Sequence, residues 1–171
     1  MKRNFLIGLV LASRVATSAQ AADLKVSLAG IHSADGAIMI GLYDTAEGFI
    51  AAVNDSTKTA VINRKDRLVG VSMRAKSGSQ SIIFTDLPPS RYAVIVLHDE
   101  NDNGLLDANS VGLPTEGYGF SNNATGLFSA PSFDAAAVTV GQADMGITIS
   151  MVYPVMHSSQ QWLEFEKLIG K

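Results

Sequence analysis

A series of short apolar runs, each closed by turn residues, most constrains what this chain can fold into. In "DLKVSLAGI", Leu24, Val26 and Leu28 alternate with Lys25, Ser27 and Ala29, the period of two expected of a strand with one buried face. "HSADG" follows and ends in Asp-Gly, a pair that favours a tight turn. "GAIMIGLYD" is more continuously apolar, so residues 24–44 predict a β-hairpin. The segment 45–67 has no clean period and reads as a loop with a short helix or strand. The β pattern then resumes: a strand near 68–75, a turn at "KSGSQ", a strand at 81–85, a Pro88-Pro89 connection and a strand at 91–97. Proline lacks the N–H that a ladder needs, so the pair marks a connection. "FDAAAVTVG" and "ADMGITISMVY" supply two last strands. The expected fold is all-β: an Ig-like antiparallel β-sandwich of about seven strands. The tail "SSQQWLEFEKLIGK" changes period. Trp162, Phe165, Leu168 and Ile169 share a helical face and Ser158 or Ser159 can cap it, which predicts a short C-terminal helix. That helix either packs on the sandwich edge or binds a partner.

The first 21 residues read as a secretory signal peptide. Lys2 and Arg3 precede an apolar run from Phe5 to Ala12, and "SAQA" ends in small residues suited to cleavage after Ala21. The run is shorter than the roughly 20 residues of a membrane span. The expected domain is 22–171, with a periplasmic or secreted location. Without Lys2, Arg3 and Arg14, ten Lys/Arg face sixteen Asp/Glu, a formal charge of −6. That balance argues against nucleic-acid binding, which needs clustered cations, and suits cations or neutral ligands. The sequence has no Cys, so disulfides and thiolate chemistry are excluded.

Chemistry concentrates in "HDENDNGLLD", directly after the apolar run "YAVIVL". With Asp99 as position 1 of a calcium loop, Asn101, Asn103, Gly104 and Asp107 fall at positions 3, 5, 6 and 9, and the Leu105 carbonyl at 7. Calcium takes about six to eight oxygens, and alternate residues of a curled loop can aim them at one centre. Glu100 and Asp102 fall between ligand positions and are expected to point outward. Ser110 stands where an EF-hand has its bidentate Glu, and no helix pair flanks the loop. Glu116 is the residue able to fold back and supply that carboxylate. The alternative is a polar Asn-Gly turn between strands. The following "VGLPTEGYGFSNNATG" carries Gly112, Gly117, Gly119 and Gly126, read as points of sharp bending. Tyr118, Phe120, Asn122 and Asn123 on it suggest a ligand-binding surface of rings and amides. The alternative places both rings over the end of the core.

"YAVIVLHDENDNGLLDANSVGLPTEGYGFSNNA" resembles DUF2141, a family of bacterial exported proteins of unknown function. The resemblance covers nearly all of 22–171 and implies an exported β-sandwich with no assigned activity. The "LPPSRYAV" turn and Tyr-containing strand are also similar to transthyretin-like and collagen-adhesin B-type sandwiches, an analogy of fold alone. The resemblance adds weight to calcium in the 99–107 loop. Three functions follow as expectations. The first is an exported non-catalytic binding or structural module, whose calcium-like loop orders a surface for an unknown ligand or envelope protein. The second is a periplasmic hydrolase using His98, Asp99 and Glu116, with His32, His157 and Ser121 as further candidates. No "HExxH" or "GxSxG" supports it. The third is an envelope scaffold that docks through its C-terminal helix.

Overall fold

The computed structural model describes residues 20–110, 112–126 and 129–153. Residues 1–19, most of the expected signal peptide, and residues 154–171, with His157 and the expected helix of Trp162, Phe165, Leu168 and Ile169, lie outside the described residues. The elements run β1 (Ala22–Ile31), β2 (Ala37–Tyr43), α1 (Ala46–Asn54), β3 (Val69–Arg74), β4 (Gly78–Leu87), β5 (Ser90–Asp99), β6 (Gly117–Phe120), α2 (Phe133–Ala136), β7 (Val138–Val140) and β8 (Met145–Ser150). They form two sheets. One has the order β4-β1-β8; in the other, β3-β2-β5 continues into β6, and β7 pairs with the start of β5.

The sandwich matches the expected class, with differences in pairing. β1 and β8 run parallel, so the first sheet is mixed rather than wholly antiparallel. The 24–44 hairpin does not form: β1 and β2 lie in opposite sheets and pack face to face. "KSGSQ" and Pro88-Pro89 likewise join strands of opposite sheets. "FDAAAVTVG" divides into a one-turn helix and a short strand, with the Ser132 hydroxyl accepting from Ala135 N–H at the helix start.

The apolar pattern follows from which faces are covered. Leu24, Val26 and Leu28 of β1 meet Ile38, Ile40 and Leu42 of β2 and Tyr92, Val94 and Val96 of β5 between the sheets. The other face of β1 stays wet, which explains its clean alternation. Met39, Tyr43, Ala93, Ile95 and Leu97 point to the opposite side of the second sheet. There Phe49 and Ala52 of α1, Ala60, Val61, Leu106, Phe133 and Ala136 build a second core. β2 and β5 are therefore buried on both faces and read as unbroken apolar runs. Each fully buried Leu, Ile or Phe contributes about 1.5–3 kcal/mol. The irregular 45–67 segment supplies part of this cover. Thr45 caps α1 through Gly48 N–H, and Arg64 ties the segment together through Asp55 and Asp66.

Candidate functional site

β5 leaves the sandwich at Asp99, which pairs with Ala37. Gly36, one residue earlier, has φ +62°, and a Cβ there would run into the Asp99 carbonyl. Glycine alone fits that approach. The chain then curls through 99–107 around its own polar side chains. Asp99 is 3% exposed. Its Oδ1 accepts from Asn103 N–H at 3.0 Å and its Oδ2 from Gly104 N–H at 2.7 Å. Asn101 Oδ1 also accepts from Asn103 N–H, and Asn103 Oδ1 accepts from Leu105 N–H at 2.8 Å. The two asparagine amides donate to Asp107, Asn101 Nδ2 to Oδ2 at 2.7 Å and Asn103 Nδ2 to Oδ1 at 2.9 Å. Asp102 and Gly104 take the left-handed conformation that so tight a curl demands.

Glu116 folds back onto this loop. Its Oε1 accepts from Glu100 N–H and its Oε2 from Asp107 N–H, both at 2.9 Å. One carboxylate thus clasps both arms of the loop. Burial pushes the Glu116 carboxyl above its usual range; its two amide bonds pull it down and the charges of Asp107 and Asp99 push it up. Asp102 points outward as expected and meets Arg74 at 2.9 Å. Glu100 instead turns inward, accepting from the Ser33 hydroxyl at 3.0 Å and lying 2.9 Å from His32 Nε2. Among the described residues no group of three or more His, Asp and Glu side chains is placed to hold a metal ion. A cation in this loop would therefore depend on asparagine and backbone oxygens, in the donor class that suits hard ions.

His98 sits on the other side of the same strand end, with no exposure. Its Nε2 lies 2.9 Å from the Asp35 carbonyl and its Nδ1 2.7 Å from the Tyr153 hydroxyl. A carbonyl only accepts, so Nε2 carries the proton and, in the neutral ring, Nδ1 accepts from the phenol. The phenol in turn accepts from His32 N–H at 3.4 Å. The rings of His32 and Tyr153 lie 3.9 Å apart. Burial, offset by the His32 amide and reinforced by the Glu100 charge, pushes the Tyr153 phenol up to about 12. Sequence reasoning found His32 and His98 but missed Tyr153, Ser33 and Asp35. "SMVYP" carries no local sign of a partner 55 residues away.

The Gly/aromatic segment has a different build from the one its composition suggests. Gly117 and Gly119 do not bend the chain; they lie in β6. A Cβ on Gly117 would enter the Tyr153 ring, and one on Gly119 would stand 2.7 Å from Ile149 Cγ2. Gly112, at φ +81°, is a genuine bend. Tyr118 and Phe120 are half-buried against the second core, and Phe120 lies 6.0 Å from Phe49. Asn122 and Asn123 both have positive φ. Asn122 Nδ2 donates to the Ala135 and Ala137 carbonyls. Asn123 Oδ1 accepts from Ser150 N–H at 2.7 Å, and its Nδ2 donates to the Thr148 carbonyl. Ser121, wholly buried, fills the gap along β5 where β6 ends. Its Oγ accepts from Val94 N–H at 2.8 Å and donates to the Ala136 carbonyl at 2.6 Å.

Fold and site together define a two-sheet β-sandwich whose one end carries a clasped loop of carboxylates and amides beside buried His98 and its half-buried partner Tyr153. The family model for DUF2141, uncharacterized proteins conserved in bacteria, matches residues 26–148, and the chain belongs to that family. No curated protein and no solved structure matches it. Among the described residues no helix is long and apolar enough to cross a membrane.

Proposed function

We propose that the chain is an exported, non-catalytic binding or structural module of the cell envelope. In this reading a hard divalent cation, calcium by preference, closes the 99–107 loop. The closed loop steadies the adjoining segment up to Phe120, which meets a ligand or envelope partner. The observation that carries the proposal is the convergence of Asp99, Asn101, Asn103 and Asp107 on one tight curl clasped by buried Glu116. Two asparagine amides satisfy the Asp107 carboxylate there with hydrogen bonds. An ion would take over that task, and the amides would rotate their oxygens toward it. That exchange of bonds, with few carboxylates, fits the weak range of about 10⁻⁴–10⁻³ M. Tyr118 and Phe120 are half-buried, so part of each ring remains accessible for contact, while Asn122 and Asn123 hold the frame behind them. His98 and Ser121 have their polar atoms bonded within the fold, which supports structural parts for both. The leader pattern supports export.

The test is thermal melting with EDTA, magnesium or about 10 mM calcium. At affinities of about 10⁻⁴–10⁻³ M, mass action gives about 1.4–2.7 kcal/mol. That corresponds to a rise of roughly 3–10 °C. The rise should vanish in Asp99→Ala/Asp107→Ala. No calcium-specific shift in the wild-type chain would reduce the loop to a self-satisfied polar turn.

A further inference from the structure

A sandwich of open sheets must deal with its edges, because an edge strand presents unpaired N–H and C=O groups to any other strand. This chain protects some of them. On β8, the side chain of Asn123 bonds Ser150 N–H and the Thr148 carbonyl. β6 is bridged to Val152. β3 has six residues, ends at Arg74 and has Arg67 two residues before its start. Antiparallel pairing of β3 with a copy of itself would bring those cations together.

β4 has none of these protections. It has ten residues and pairs with β1 along one side; among the described residues no strand pairs with its other side. From Gly78 to Thr85 it contains no charge and no proline. Ser79, Ser81, Ile83 and Thr85 face solvent, with Ile83 53% exposed. Exposed Lys76 and Asp86 stand at its two ends. Antiparallel self-pairing brings the start of one strand to the end of the other. It therefore sets Lys76 of each copy near Asp86 of its partner, with only uncharged residues between. With the two-fold axis at Ile82, same-face residues stay matched, Ser81 and Ile83 meet across it, and each Lys76 lies diagonal to the partner's Asp86, two positions along the strand and within a long side chain's reach.

We propose that β4 is the edge through which two copies of this chain associate, joining two three-stranded sheets into one of six. The self-complementary charge at the strand ends selects a second copy over an unrelated strand. The outer face of the joined sheet is rich in Ser, Thr and Ala, with Asp23 and Lys25 its charges on β1.

The test is sedimentation equilibrium of the purified chain from low micromolar to submillimolar concentration, with hydrogen exchange of the β4 amides. The expected result is a species of twice the chain mass that dissociates on dilution, with the outward β4 amides slowed only at high concentration. Ile83→Lys and, separately, Ser81→Lys set two ammonium groups on diagonal positions across the axis, within reach of each other. Each should weaken association at least about tenfold while far-UV circular dichroism stays native. Both positions are solvent-exposed, so loss of folding in one leaves the other to decide. A single-mass species throughout, or a dimer indifferent to whichever substitutions fold, overturns the proposal. So does a monomer whose outward β4 amides are already protected, because another segment of the chain would then cover the edge.

Discussion

Ser121→Ala separates a structural hydroxyl from a catalytic one. Ser121 is fully buried, and its Oγ serves two backbone groups, Val94 N–H on β5 and the Ala136 carbonyl at the end of α2. Val94 and Ala136 are themselves wholly buried. Alanine keeps the shape and removes both bonds, and water cannot replace them without opening the packing. Each stranded group costs about 1–3 kcal/mol. Relaxation recovers some of that, so the expected loss is about 2–4 kcal/mol. For a domain of this size the melting temperature should fall by roughly 5–15 °C. Urea denaturation and calorimetry read the change directly, with an unaltered urea slope confirming that the compactness of both states is preserved. A loss under about 1 kcal/mol would refute the reasoning, since two buried backbone groups would then have found partners without the hydroxyl. A hydrolytic activity abolished by the same substitution with stability intact would revive the hydrolase alternative.

Alkaline pH should destabilise the fold through two shielded phenols, buried Tyr43 and half-buried Tyr153. Tyr43 and Tyr153 are both raised from 10.0 to about 12, chiefly by burial. A raised pKa means the folded state holds its proton longer than the unfolded chain. The associated stability is complete below pH 10 and is lost as pH rises through about 12. Denaturation across that interval should show the loss, and Tyr153→Phe should make it shallower; an unchanged slope would count against the burial argument. At Gly119, whose added Cβ would stand 2.7 Å from Ile149 Cγ2, Gly119→Ala should cost about 1–3 kcal/mol by overpacking. A neutral or stabilising result in thermal melts would show that β6 can move away from β8.

Much of the candidate site was legible because its contacts are local. Asp99, Asn101, Asn103, Gly104 and Asp107 are neighbours in sequence, and their spacing prescribes the curl before any sheet is built. Glu116 was found from the same spacing, as the carboxylate able to return. Its detailed part was not, because the groups it clasps are the backbone amides of Glu100 and Asp107, and every residue has such a group. The glycines of β6 show the same limit. Composition shows that a side chain is missing and leaves open whether the space serves a bend or a neighbour. Here Tyr153 and Ile149 occupy it.

The sequence by itself determined the all-β class, the approximate positions of the longer strands and the buried face of β1. Those properties depend on alternation of apolar residues and on the restricted backbone of Gly, Pro and Asn, which act over a few residues. Tertiary structure alone decided which strands pair. A turn signal reverses the chain equally well within a sheet or between sheets, so β1 and β2 could be read as a hairpin although they face each other across the core. β1 pairs instead with β4 and, in parallel, with β8. Tertiary structure also brought Tyr153 to His98 and placed Ser121 between β5 and α2. Such contacts close long loops and are selected by the packing of the whole sandwich, which no short window of sequence contains.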